Sequence, residues 1–101
     1  MFLRKNLSNL FLLSFITLFS LIFTAQSSVV TGLVIDENKE GMPGVTVKID
    51  GKSSGTTTNL DGKYSINIQN DSVRLIFSFI GYRDQAVDVN GQSNIDIQLQ
   101  L

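Results

Sequence analysis

The side chains with the most recognisable reactive spacing lie in a short segment near the middle of the chain. Residues Gly51–Gly55, of sequence GKSSG, fit the G-x-S-x-G pattern, in which a serine nucleophile occupies a sharp turn between a strand and a helix. That chemistry needs a histidine to accept the serine proton, and the chain contains no histidine. Threonine-rich sequence, typical of a strand rather than a helix, follows the segment. We therefore predict a flexible, non-catalytic loop.

Two ligand-binding patterns in the same region are incomplete. The GKSSG segment resembles the end of a P-loop, but the first glycine of that motif would fall on Thr46, and no helix pattern follows. Asn59–Gly62 resembles part of a calcium loop. The EF-hand spacing, however, places Thr57 and Ile68 at the first and twelfth ligand positions, where acidic side chains are required. We predict a structural turn here, and no catalytic, cofactor-binding or metal-binding residues, and hence no cofactor.

Composition excludes further classes of chemistry. The 101-residue chain has neither cysteine nor histidine, which excludes disulfides, thiol nucleophiles, Cys/His zinc sites and histidine bases. The length allows one domain at most. The formal net charge is −1, and it becomes −3 without Arg4 and Lys5. A mildly acidic domain argues against nucleic acid as a partner, and the sequence assigns no small-molecule substrate.

The N-terminus has the pattern of an export signal. Arg4 and Lys5 form a short positive region, and Leu10–Phe23 is almost wholly apolar. That run is about 14 residues long, whereas a membrane-spanning helix needs about 20. The pattern predicts a helical signal peptide; the alternative is an uncleaved membrane anchor.

Small residues after the apolar run suggest where the signal ends. We place cleavage after Ser27, with cleavage after Ala25 as the alternative. The predicted boundaries are therefore a signal peptide at residues 1–27 and a folded domain at residues 28–101. The absence of cysteine excludes a lipoprotein anchor.

The remainder of the chain alternates apolar and polar residues in short runs, as half-buried strands do. Turn signals separate the runs at intervals of about 8 to 12 residues. The pattern predicts an all-β, seven-stranded antiparallel sandwich whose strands fall near residues 30–35, 45–50, 54–58, 64–69, 73–80, 87–89 and 95–100, with the run at 54–58 on a sheet edge.

Two dipeptides predict tight hairpins. Asp61-Gly62 and Asn90-Gly91 each lie between alternating runs, where Gly accepts a positive φ without a Cβ clash. We expect Gly62 to have a positive φ at a hairpin tip, and Asn90-Gly91 to form a second hairpin.

The most apolar run predicts the centre of the core. Leu75, Phe77 and Phe79 share one face of this strand, so we expect all three to be buried in a central strand. Tyr82 follows the strand. We expect its ring to pack on the sandwich edge and its hydroxyl to bond to backbone, by analogy with the corner tyrosine of other sandwiches.

Taken together, four blocks resemble the carboxypeptidase-regulatory-like domain, particularly the copy at the N-terminus of SusC-type TonB-dependent outer-membrane receptors of Bacteroidetes. The blocks are Val30–Asp36 (VTGLVID), Gly41–Val47 (GMPGVTV), Gly55–Ile66 (GTTTNLDGKYSI) and Leu75–Tyr82 (LIFSFIGY). The resemblance implies a transthyretin- or prealbumin-like Greek-key sandwich without catalytic residues.

The resemblance also implies a functional setting. It favours a non-enzymatic accessory domain of a SusC-like receptor for nutrient or glycan uptake, present here as an N-terminal fragment or a stand-alone copy. The plug and barrel that would transport substrate are not in this sequence. The expected location is the periplasm, in association with the outer membrane, with receptor components or periplasmic proteins as partners. The alternative is an independent exported carbohydrate- or protein-binding module, which exposed aromatics on one sheet face would favour.

Overall fold

The computed structural model describes residues 27–101, which form two β-sheets around a shared core. The seven strands are β1 (Ser28–Ile35), β2 (Thr46–Ile49), β3 (Gly55–Thr57), β4 (Lys63–Ile68), β5 (Arg74–Ser78), β6 (Gln85–Asp88) and β7 (Ile97–Gln98). This confirms an all-β, sandwich-like fold of seven strands. The predicted signal peptide, apart from Ser27, lies outside the described residues. Within them, we find no helix long and apolar enough to cross a membrane.

One sheet has three strands in the order β4-β1-β7, and the other has four in the order β3-β2-β5-β6. Every pairing is antiparallel except that of β1 with β7, which is parallel. The expectation of a purely antiparallel sandwich is therefore wrong. The reason is topological. The last residue of β6 lies at the same end of the sandwich as the first residue of β1, so β7, which follows β6, runs in the same direction as β1.

The core forms where the inward faces of the two sheets meet. Leu75 and Phe77 on β5 are completely buried, as predicted, and β5 lies between β2 and β6. The aromatic ring of Tyr64 on β4 meets the ring of Phe77 edge-on, with centroids 5.3 Å apart, so this pair joins the two sheets. Alternation along the strands and their extensions supplies the rest of the buried set except Met42, which lies in the β1–β2 connection. The set is Val30, Val34, Met42, Val45, Val47, Ile49, Ile66, Ile68, Val89, Ile95, Ile97 and Leu99.

The two predicted hairpins are turns, but neither joins paired strands. Gly62 has a φ of 82°, as predicted, yet the turn around it connects β3 in one sheet to β4 in the other. Asn90 and Gly91 have φ values of 49° and 76°, the pattern of a type I′ turn, and they connect β6 to β7 across the sheets. The same local turn geometry serves hairpins and corners alike, which is why the dipeptides did not distinguish them.

The hairpins of the structure lie elsewhere. β2 and β3 pair directly through the loop 50–54, and β5 and β6 pair through the loop 79–84. The GKSSG segment thus forms most of the β2–β3 hairpin loop and the first residue of β3. The short edge strand expected at 54–58 is confirmed, because β3 lies at the edge of the four-stranded sheet.

We predict that Phe77→Ala destabilises the domain by about 3–5 kcal/mol, because it removes a large ring from the centre of the core and leaves a cavity. Urea denaturation, followed by circular dichroism, measures the change. Ile80→Ala is the matched control, because Ile80 is 96% exposed and should change stability by less than about 0.5 kcal/mol. Equal midpoints for the two variants would refute the central position of Phe77.

Gly62 and Gly91 have similar φ values but differ in how closely other atoms surround them, so substitutions at the two positions separate backbone strain from crowding. A Cβ at Gly62 would lie 2.6 Å from the Val34 carbonyl oxygen and 2.7 Å from the Met42 nitrogen, whereas a Cβ at Gly91 would meet nothing within 4 Å. Gly91→Ala should therefore cost only the strain of a positive φ, about 1 kcal/mol. Gly62→Ala should cost about 3 kcal/mol or more, because displacement of packed backbone is added. Thermal unfolding of both variants tests the order, which the reverse ranking would contradict.

Candidate interaction surface

Three connections and the last residues of the chain meet at one end of the sandwich. Thr46 at the start of β2 pairs with Thr57 at the end of β3 and with Ser78 at the end of β5. β4 starts, and β7 ends, where β1 ends. We call this end, formed by residues 36–45, 58–62, 79–84 and 99–101, the apolar end. The opposite end contains the loops 50–54, 69–73 and 89–96.

Thr58 fixes the chain that enters β2. Its hydroxyl donates a hydrogen bond to the Met42 carbonyl at 2.5 Å and accepts one from the Val45 N–H at 2.9 Å. Its backbone N–H donates to the Val45 carbonyl, and its carbonyl accepts from the Gly44 N–H. Thr58 is the one buried polar residue among residues 27–101, and these bonds satisfy its polar groups. These bonds therefore hold the segment 42–45 in place within the apolar end.

Asn59 organises the turn that follows. Its side-chain oxygen accepts hydrogen bonds from the N–H groups of Asp61 and Lys63, both at 3.0 Å. Its backbone also pairs with that of Lys63 and Gly62. The turn leaves Leu60 at its tip with 89% of its surface exposed.

Two contacts fix the β5–β6 loop at the same end. The Tyr82 hydroxyl donates a hydrogen bond to the Glu37 carboxylate at 2.9 Å, which ties the loop to the β1–β2 connection. The Arg83 N–H donates to the Gln100 carbonyl at 2.7 Å, which ties it to the last residues of the chain. Hydrogen bonds therefore hold the loop on two sides to other segments of the apolar end.

Exposed apolar side chains are concentrated at this end. Of the five large hydrophobic residues exposed among residues 27–101, four belong to it: Leu60, Phe79, Ile80 and Leu101. The fifth, Val29, lies near the start of β1 at the opposite end. The loops of that opposite end consist mainly of Asp, Asn, Gln, Ser, Lys and Gly. The two ends of the sandwich therefore have contrasting surfaces.

An open groove of about 530 Å³ runs beside the β5–β6 loop. Its lining combines the apolar residues Phe79, Ile80 and Tyr82 with the polar side chains of Thr46, Ser78 and Asp84, and with Gly44 and Gly81. The Phe79 and Tyr82 rings pack edge to face, with centroids 6.0 Å apart and planes at 64°. The groove has the mixed composition of a binding surface, without a cluster of reactive groups.

Comparison with known proteins identifies the domain. Residues 30–101 match the family model of the CarboxypepD_reg-like domain. The chain belongs to this family. Its relatives include the TonB-dependent receptor P3 of Formosa agariphila, which is 35% identical over 92 residues, and the TonB-dependent receptor P39 of the same organism, which is 38% identical over 76 residues. The TonB-dependent receptor SusC of Bacteroides thetaiotaomicron is 34% identical over 71 residues.

The CarboxypepD_reg-like domain accounts for a small part of these receptors. The matches cover 89%, 75% and 70% of this chain, but only 9%, 7% and 7% of the lengths of P3, P39 and SusC. The resemblance to the N-terminal domain of SusC-type receptors, drawn from the four sequence blocks, is thus confirmed.

The motifs with reactive spacing form ordinary loop structure in this CarboxypepD_reg-like domain. GKSSG is exposed throughout, and Asn59–Gly62 is the turn organised by the Asn59 side chain. Among residues 27–101, no three acidic, cysteine or histidine side chains group as metal ligands would.

Two aromatic residues differ from their predicted positions. Phe79 is 38% exposed, so its assignment to the core is wrong; β5 ends at Ser78, and the alternation of buried residues ends with the strand. Tyr82 is half-buried, but its hydroxyl bonds to the Glu37 carboxylate rather than to backbone, so that expectation is also wrong. The loop turns its phenol toward the acidic β1–β2 connection, a proximity that the sequence around Tyr82 does not reveal.

The tyrosine with a buried hydroxyl bonded to backbone is Tyr64, which the sequence analysis placed only on a strand. Its hydroxyl donates to the Ile95 carbonyl at 2.6 Å. Burial, with a smaller contribution from the Asp96 carboxylate, raises the pKa of Tyr64 to about 12. The pKa of Tyr82 is also raised, mainly because its hydroxyl donates to Glu37. In both cases the neutral phenol is favoured.

Tyr64 gives a prediction on alkaline stability. Its pKa is about 12 in the folded chain, against 10.0 for an unperturbed tyrosine. A raised folded pKa contributes stability that is complete below pH 10 and is lost as the pH rises through 12. Tyr64→Phe should cost about 1–3 kcal/mol at pH 7, since it leaves the buried Ile95 carbonyl unpaired.

The stability of Tyr64→Phe should also fall less steeply than that of the wild type between pH 10 and 12. Urea midpoints at several pH values provide the measurement. Tyr82→Phe serves as the control. The Tyr82 hydroxyl is bonded at the surface, so its removal should lower the free energy of unfolding at pH 7 by less than Tyr64→Phe does. Parallel pH profiles for the wild type and Tyr64→Phe would contradict the assignment.

Proposed function

We propose that this chain is a non-enzymatic accessory domain of a SusC-like TonB-dependent outer-membrane receptor that imports nutrients or glycans, either as its N-terminal part or as a stand-alone copy. The observation that carries the proposal is the family match over residues 30–101, together with relatives that are TonB-dependent receptors. We also propose that the strand topology is that of a transthyretin-like Greek-key sandwich. This topology is consistent with the two sheets and with the frequent crossing of the chain between them.

The character of the described residues supports a role without catalysis. The one buried polar residue, Thr58, uses its hydroxyl in two structural hydrogen bonds. The groove at the apolar end is lined by a single carboxylate, that of Asp84, together with the hydroxyl-bearing side chains of Thr46, Ser78 and Tyr82 and exposed apolar residues. Binding is the function that such a surface supports best.

The sequence pattern of an export signal supports a location outside the cytoplasm. Residues 1–27 have the sequence pattern of a signal peptide, and residues 28–101 form the proposed folded domain. We propose a periplasmic location in association with the outer membrane, because receptors of this kind are the relatives of the chain. Receptor components and periplasmic proteins are the proposed partners.

The alternative is an independent exported carbohydrate- or protein-binding module, and its carbohydrate-binding form has weaker support. Sugar rings stack on flat aromatic faces, and exposed aromatics on one sheet face would favour such binding. Phe79 and Tyr82 lie on a loop instead, with ring planes at 64° to each other, so they do not form a single flat platform. Nearby Ile80, 96% exposed, offers an aliphatic contact more suited to protein than to sugar.

A domain exchange tests the accessory function. The segment of Bacteroides thetaiotaomicron SusC that matches this chain is deleted or replaced by residues 28–101, and uptake of the imported nutrient is measured. We expect the deletion to lower uptake and the replacement to restore it. The replacement carrying Phe77→Ala is the control and should not restore uptake, because its core is disrupted.

Fractionation of the same cells establishes that each receptor reaches the outer membrane in equal amount. A replacement receptor that is present at normal level, yet imports no better than the deletion, would contradict the proposed function. So would a deletion that leaves uptake unchanged.

A further inference from the structure

We propose that the apolar end of the sandwich is a docking surface for the receptor portion of a TonB-dependent receptor, with the β5–β6 loop at its centre. This inference rests on the proposed function and adds to it which face of the domain makes the contact. Within a receptor chain the contact is intramolecular; a stand-alone copy makes it in trans, without the advantage of covalent linkage.

Apolar surface is unevenly distributed between the two ends of the domain. Phe79 and Ile80 are adjacent, and the ring of Tyr82 packs against that of Phe79, so the three form one continuous apolar feature. Ile80, at 96% exposed, contributes nothing to the core of the domain. Exposed apolar patches of this kind mark interaction sites, because an isolated soluble domain gains nothing from them. The polar loops at the opposite end offer no comparable surface.

Hydrogen bonds order the patch before any partner binds. The Tyr82 N–H donates to the Phe79 carbonyl at 3.0 Å and closes the loop on itself. The bonds from Tyr82 to Glu37 and from Arg83 to Gln100 then fix the loop against two neighbouring segments. A surface that is rigid before binding loses little conformational entropy on association.

The direction of the chain favours one occupant. β7 and the residues after it run toward the apolar end, and Gln100 is hydrogen-bonded to the β5–β6 loop. The matches span only 9% and 7% of the receptors P3 and SusC, so most of each receptor lies outside this domain. With the domain at the N-terminus of its receptor, as we propose, the receptor portion follows from this end. Direct linkage gives that portion a high effective concentration at the patch, which favours it over other apolar partners.

The charges around the groove indicate the chemistry of the matching surface. Asp84 lines the groove, Glu37 is bonded to Tyr82 at its margin, and none of the groove-lining residues is basic. An apolar centre with carboxylates at the rim complements a receptor surface of apolar side chains flanked by lysine or arginine. Rim charges of this kind set the orientation more than the affinity.

Photo-crosslinking in the native cell tests the inference on the chain as it exists. A photoreactive p-benzoylphenylalanine replaces Ile80 in one strain and, as the matched control, Val29 in another. Both residues are exposed and apolar, at 96% and 50%, but they lie at opposite ends of the sandwich. After irradiation, crosslinked peptides are identified by mass spectrometry.

We expect Ile80→p-benzoylphenylalanine to crosslink to sequence of a TonB-dependent receptor outside the CarboxypepD_reg-like segment, at least tenfold more than the Val29 variant. Adding Phe79→Ser should reduce the Ile80 crosslink at least threefold, whereas Lys52→Ser at the opposite end should leave it unchanged. Circular dichroism of the purified variants confirms that each retains its fold.

Other outcomes would overturn the inference. Equal crosslinking of the two positions to a receptor would leave the proposed function standing and remove the apolar end as its docking surface. A crosslink from position 80 mainly to a second copy of residues 27–101, to lipid or to an unrelated periplasmic protein would show that this other molecule, and not the receptor portion, occupies the apolar end. Receptor crosslinks from position 80, with no loss of uptake on deletion of the domain, would uphold docking and refute the accessory role in transport.

Discussion

A group of backbone hydrogen bonds at one end of the sandwich couples the two sheets, and the arrangement of the loops depends on it. The Val34 N–H on β1 donates to the Gly62 carbonyl at 2.8 Å, and the Val34 carbonyl accepts from the Met42 N–H at 2.8 Å. These bonds require the β1–β2 and β3–β4 connections to approach within van der Waals distance of each other. Gly62 makes the approach possible, since a Cβ there would lie 2.7 Å from the Met42 nitrogen. Thr58 then pairs the neighbouring groups of Met42 and Val45.

This junction has a consequence for the surface above it. The bonded backbone groups and the Thr58 hydroxyl hold the connections in place, while the side chains of Met42 and Val45 fill the core beneath them. Tyr82 of the β5–β6 loop also packs against the core, whereas Phe79 and Ile80 of the same loop are exposed. The residue of this loop that contributes to the core is therefore separate from the residues that form its exposed apolar surface.

Sequence reasoning predicted those features that depend on local chemistry. Strand number, the burial of Leu75 and Phe77, and the positive φ of Gly62 follow from alternation and from the conformational freedom of glycine. The parallel pairing of β7 and the use of two turns as corners could not be predicted, because they depend on contacts between residues distant in sequence. The same limit applies to the apolar end. Tyr82 meets Glu37 across 45 positions, and no local pattern indicates that contact.

The edge strands of the two sheets limit lateral association. β3, β6 and β7 are edge strands of three, four and two residues, too short to template an added strand. The longest edge strand, β4, has six residues and carries Lys63, Ser65 and Asn67 on its solvent-facing side. Lateral pairing is thus disfavoured at the β3, β6 and β7 edges of the described sandwich. A partner that contacts the exposed apolar residues must approach end-on, along the direction of the strands, which orients the domain with the C-terminal ends of β1 and β7 toward the partner.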